Sequence, residues 1–185
     1  MPRALVVIAE GTEEMEATIV VDLLRRAEID VVVAGLDGDA PVTMSRGVRM
    51  LPDVALADAP DDFDAFVLPG GRGGADRFAA SEAIAERLAA FERTGRLVGA
   101  ICAAPIALVS HQRFAGHRMT CHPSVDELVV PFAEHATTPV VEDRNLVTSR
   151  GPGTAFAFGL ALIQRLTSDE VAQRVRDPLM LVSAT

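Results

Sequence analysis

The chain contains no lysine, no tryptophan and no tyrosine. Its 17 basic Lys/Arg residues are therefore all arginines. Without lysine there can be no lysine Schiff base and no lysine-dependent phosphate loop. With 4% aromatic residues and a net charge of −9, the chain offers few stacking platforms and repels a phosphate backbone. No nucleic-acid partner is expected. The two cysteines, Cys102 and Cys121, are too few for a disulfide framework, and in a reducing compartment both are expected as thiols. There is no Cys-x-x-Cys pair, and the histidines at 111, 117, 122 and 135 show no metal-ligand spacing, so neither a metal nor a cofactor is expected. No apolar run approaches the roughly 18 residues of a membrane span. The start, "MPRALVVIAEGTEE", has one arginine and a short apolar run, too short for a secretory signal. It reads as a first strand, and the protein is expected in the cytoplasm without a membrane partner.

What is present fits one globular domain over residues 1–185, with 49% hydrophobic and 23% charged residues. Short β-branched runs alternate with helical periods. "ALVVIA", "DVVVAG", "DAFVLPGG" and "RLVGAI" read as buried strands. "EEMEATIVVDLLRRA" reads as a helix with Met15, Ile19, Leu23 and Ala27 on one face. "SEAIAERLAAFERTG" reads as a helix capped by Ser81 and stopped by Gly95. Pro105 opens a short helix. "PVTMS" with "VRML", and "PVVED" with "NLVTS", predict two hairpins. "SVDELVVPF" predicts a helix capped by Ser124, and a strongly apolar helix and a Ser168-capped one follow near the end. The order predicts an α/β fold with a mostly parallel sheet and helices on both faces. In such folds ligands sit beyond the carboxyl ends of the strands. Three segments fall there, Glu10–Glu16, Pro69–Asp76 and Cys102–Pro105, and they are expected to converge.

Cys102 sits where a buried strand gives way to a helix. Unpaired amides and the helix dipole at such a junction favour a thiolate. The plain alternative is an inert core thiol, because free cysteine is often buried. "LPGGRGGAD" lets backbone N–H groups approach a ligand, and one of them with the N–H after Cys102 would form an oxyanion hole. Alone, the run reads as a flexible turn. It fails the dinucleotide pattern because Asp76 stands where the third glycine belongs. Of the four glutamates in "EGTEEMEA", Glu16 reaches deepest into the helix, and a buried acid there could donate to a thiolate. The plain reading of all four is a solvated first turn. His122 would be the natural base for a cysteine, although a histidine after a strand is commonly a cap.

"AEGTEEMEA", "VLPGG", "AICAAP", "TCHP" and "TSRGPGT", in this order, resemble the DJ-1/PfpI superfamily from Arg3 to Leu181. The resemblance implies a flavodoxin-like three-layer sandwich assembled as a homodimer. It implies a reactive Cys102, a Glu16 hydrogen-bonded to its sulfur, an oxyanion hole from the Gly71 and Ala103 amides, and a nearby His122. It places Arg46 and the "RGPGT" loop near the pocket and dimer contact. It implies cofactor-free, glutathione-independent conversion of 2-oxoaldehydes to hydroxy acids, or deglycation of early glycation adducts, so the partner is a small aldehyde or glycated substrate. The alternative is a stress-protective redox sensor whose cysteine oxidises to a sulfinate, with chaperone-like activity. Two features depart from the pattern. Cys121 stands where relatives often carry Thr or Gly, and Met44 and Leu51 replace cysteines of animal members.

Overall fold

The computed structural model describes residues 1–181. Strand β1 (Arg3–Ile8) leads into helix α1 (Glu14–Arg26) and strand β2 (Asp30–Gly35). A hairpin of β3 (Val42–Thr43) and β4 (Arg49–Met50) precedes β5 (Val54–Ala55). Then come β6 (Ala65–Leu68), α2 (Arg72–Ala80), α3 (Glu82–Thr94), β7 (Leu97–Ile101) and α4 (Pro105–Ser110). An irregular stretch holds β8 (Arg118–Met119), α5 (Asp126–Val129) and β9 (Glu134–His135). The hairpin β10 (Val140–Asp143) and β11 (Leu146–Ser149) returns to the sheet, and α6 (Ala155–Leu166) and α7 (Asp169–Arg176) follow.

Seven strands form the central sheet in the order β10-β11-β7-β6-β1-β2-β5. Every pairing is parallel except β10 with β11 at one edge. Helices α1 and α6 pack together on one face, and α2, α3 and α4 on the other. This is the three-layer α/β sandwich that the alternating pattern predicts. The chain winds outward from β1 to β2 and β5, then crosses back to β6 on the other side of β1. The crevice at the carboxyl ends of β1 and β6 is therefore a topological switch point, where such sheets hold their ligands.

The local signals for α3 are in place: the Ser81 hydroxyl accepts from the Ile84 N–H, and Gly95 takes the left-handed conformation at φ 69°. Ser168 caps α7 in the same way. Three expectations need correction. Residues 72–80 form a helix rather than a loop, because Gly74, Ala75 and Phe78 bury one face of it despite the helix-weakening glycines. Met15 does not face the core and is 54% exposed, whereas Leu23 and Ala27 of the predicted face are buried, and the buried side also takes in Glu16, Ala17, Val20 and Leu24. The long helix expected over 124–132 shrinks to a 3-10 turn at Pro123–Val125 and the single turn of α5. Its cap is the His122 imidazole and not Ser124.

The two helices on the first face touch closely at Gly159, where a Cβ would lie 2.5 Å from Leu23 Cδ1. Gly159→Val is expected to overpack this contact and cost about 1–3 kcal/mol. A thermal melt should show a midpoint lowered by several degrees. An unchanged midpoint would mean that the helices part freely.

Candidate functional site

Cys102 follows β7 directly and adopts a left-handed backbone at φ 64°. A non-glycine residue there is strained by on the order of 1–3 kcal/mol and persists only where its surroundings hold it. Two hydrogen bonds do so. The Cys102 N–H donates to the Ser149 carbonyl at 2.8 Å, and the Cys102 carbonyl accepts from the His122 N–H at 2.8 Å. The sharp turn lifts the side chain off the sheet edge, as a nucleophile elbow does. Cys102 is 8% exposed.

Glu16 reaches this sulfur from the first turn of α1. Glu13 starts that helix, its carboxylate accepting from the Glu16 N–H at 2.7 Å. Glu16 is fully buried. Its Oε2 accepts from the Gly70 N–H at 2.7 Å, and the carboxyl lies against the Cys102 thiol. Burial pushes the Glu16 carboxyl up to about 7, although the bonds from Gly70 and Cys102 pull it down. Burial and the neighbouring Glu16 charge push the Cys102 thiol up to about 12, against the pull of the Gly71 and Ala103 N–H groups. The two groups form one coupled pair. Each group's burial and the other's charge oppose ionisation of both at once. The simple expectation of a helix start that lowers the thiol on its own does not hold. Pro105 has no N–H, the Ala104 N–H is bonded to the Ile101 carbonyl, and the Ile106 N–H to the Ala103 carbonyl. Of the α4 junction only the Ala103 amide points at the sulfur, and the second amide comes from Gly71 on the β6–α2 loop.

The three expected segments do converge. The glycine run is packed rather than loose. At Gly70 a Cβ would lie 2.5 Å from Cys102 Cβ, 2.7 Å from Glu16 Oε2 and 2.7 Å from the Ile101 carbonyl. No side chain fits between acid and thiol. Gly71 sits at φ 83° and its carbonyl accepts from the Ala75 N–H, which starts α2. Sequence reasoning passed over Gly70, although a signal was available. The β6–β7 register pairs Leu68 with Ala100, so Gly70 lies level with Cys102.

The other glutamates are not one solvated cluster. Glu14 is buried and grips the hairpin, accepting from the Ser45 hydroxyl at 2.7 Å and the Arg46 N–H at 2.9 Å. Arg46 thus meets α1 through its backbone. Glu10 accepts from the Thr43 N–H. His122 lies beside the site, and its ring caps the following turn: Nδ1 pairs with the Ser124 hydroxyl at 2.8 Å and accepts from the Ser124 N–H at 3.1 Å. Its tie to Cys102 is the backbone bond, so the capping alternative describes it. The "RGPGT" loop continues from Ser149, with Gly151 against the His122 ring.

The arrangement combines a thiol on a strained elbow, a buried acid against it, and two amides pointing at the sulfur. Known proteins resemble this chain along nearly its whole length. A zebrafish (Danio rerio) protein named Parkinson disease protein 7 homolog is 43% identical over 183 residues, 97% of each chain. A Caenorhabditis elegans protein named glutathione-independent glyoxalase DJR-1.2 is 37% identical over 174 residues, covering 93% of this chain and 92% of that one. The crystal structure of Drosophila melanogaster DJ-1beta superposes with a TM-score of 0.96 at 43% identity, covering 98% of this chain and 99% of that one. The DJ-1/PfpI family profile matches residues 2–165. With that match, these relatives and the shared fold, the chain belongs to the DJ-1/PfpI family.

Proposed function

We propose that the protein converts 2-oxoaldehydes such as methylglyoxal or glyoxal to hydroxy acids without glutathione or cofactor. The observation that carries this reading is geometric: the fully buried Glu16 carboxyl lies against the Cys102 thiol, under the Gly71 and Ala103 amides, where one proton can pass between acid and sulfur. With the proton on Glu16, the sulfur is anionic and adds to the aldehyde carbon. The aldehyde oxygen, bearing the negative charge, sits at the two amides and is protonated to a hemithioacetal. Glu16, now a carboxylate, removes the hydrogen from the former aldehyde carbon and returns a proton to the adjacent carbon through an enediol. The product is a thioester of the hydroxy acid. Water cleaves it, releasing the acid and restoring the thiol. One carbon is oxidised and its neighbour reduced, so no external electron carrier is needed. Early glycation adducts would enter by the same first addition. The relative named a glyoxalase supports this reading.

Steady-state turnover of methylglyoxal, read as lactate formed without glutathione, tests it. Cys102→Ser should abolish turnover. Glu16→Ala should lower kcat by about 10²–10⁴-fold, the usual worth of a positioned acid–base group. Undiminished turnover in either variant would overturn the assignment.

The pH dependence of the thiol gives an independent check. The anionic pair forms as pH rises through about 7, so Cys102 alkylation by iodoacetamide should rise with a midpoint near there. An ordinary thiol titrates near 8.5. In Glu16→Gln the sulfur has no acid to trade its proton with, and burial still opposes its charge. The midpoint should then move above the ordinary value. A midpoint that stays near 7 in this variant would separate the thiol from Glu16.

The same geometry favours a second reading, a redox sensor. A protonated Glu16 and two amides are suited to hold the oxygens of a Cys102 sulfinate formed by peroxide. Mass spectrometry after mild peroxide should then find two added oxygens on Cys102 before any on Cys121. Oxidation of Cys121 first would sink this reading.

A further inference from the structure

Cys121, Asp126 and His135 come from three separate places: the residues after β8, the first position of α5, and the end of β9. Cys121 is fully buried, and the Asp126 and His135 side chains retain 34% and 14% exposure. The Cys121 thiol donates to Asp126 Oδ1 at 3.2 Å, His135 Nε2 lies 3.3 Å from the same oxygen, and Sγ lies 3.9 Å from Nε2.

Two arrangements could explain a Cys–His–Asp set, and the geometry separates them. In a catalytic triad the carboxylate holds the imidazole nitrogen remote from the nucleophile. Here thiol and carboxylate crowd the same nitrogen, Nε2. The three donor atoms therefore converge on a point instead of forming a relay. A tetrahedral zinc ion with metal–ligand distances of roughly 2.0–2.3 Å separates its ligand atoms by about 3.3–3.6 Å. The observed separations of 3.2, 3.3 and 3.9 Å lie close to those edges. The donors are one sulfur, one imidazole nitrogen and one carboxylate oxygen, a set suited to zinc more than to calcium or magnesium.

We propose that Cys121, Asp126 and His135 bind one zinc ion, with a fourth coordination position open on the partly exposed Asp126 side. Binding drives the thiol proton into solvent, and thiolate and carboxylate together neutralise the ion's two charges. Cys121 immediately precedes His122, whose N–H holds the Cys102 carbonyl. The ion would therefore tie the irregular stretch between β8 and β9 to the backbone that supports the elbow. The spacing of 121, 126 and 135 matches no recognised zinc motif, so only the fold reveals the cluster.

The test titrates chelator-treated, metal-free protein with zinc sulfate against a chromogenic competitor. One equivalent should bind per chain. Cys121→Ala and His135→Gln should each weaken binding by more than about tenfold, since even outer partners of zinc ligands are worth roughly 10–100-fold. Cys102→Ser should leave binding unchanged. Cobalt(II) in the wild type should give a thiolate-to-metal charge-transfer band that survives Cys102→Ser and disappears in Cys121→Ala. Should Cys121→Ala fail to fold, the half-buried His135→Gln and the behaviour of the band in Cys102→Ser decide. No stoichiometric uptake, a band lost with Cys102→Ser, or full affinity in His135→Gln would overturn the proposal.

Discussion

The site depends on one residue held in a conformation it would not choose. Cys102 turns left-handed at the end of β7, and its backbone is tied on both sides, to Ser149 on β11 and to His122. The parallel pairing of β7 with β11 supplies the first tie. The chain that returns after β8 supplies the second. The sheet and the returning segment together hold the strain at the carboxyl edge, and the turn places the sulfur there.

Charge placement follows from that aim. Glu16 is buried beside a thiol with no arginine bonded to it among the described residues, so neither group can carry its charge freely. Burial opposes both anions, and the Gly70, Gly71 and Ala103 amides each lower that cost by a hydrogen bond. The result is a buried acid and thiol whose ionisation each group opposes in the other.

Much of this was legible in the residues. Short β-branched runs, capped helices and the order of elements predict the sheet, and the ordered motifs predict the cysteine and its acid. The remainder was hidden for physical reasons. Helix α2 is glycine-rich, and its stability comes from burying Gly74, Ala75 and Phe78, which local propensity does not register. Of the predicted face of α1, Leu23 and Ala27 are buried and Ile19 packs against the core, but Met15, in the first turn beside the buried Glu16, is exposed. His122 looks like a base in the chain and is a cap in space, because Ser124 lies two residues away to receive its ring. Cys121, Asp126 and His135 have no sequence signature at all, and only the pairing of β8 with β9 brings the first and last together.

The tight fit at Gly70 and the tie to Ser149 also bear on when the thiol acquires its character. Acid, glycine, sulfur and supporting carbonyl are contributed by segments far apart in the chain, and the last of them, Ser149, belongs to the final strand of the sheet. On the ribosome a growing polypeptide would carry Cys102 as a plain, unassisted mercaptan until that strand has emerged and docked. The site is thus absent from the nascent chain and assembled only by completed tertiary structure.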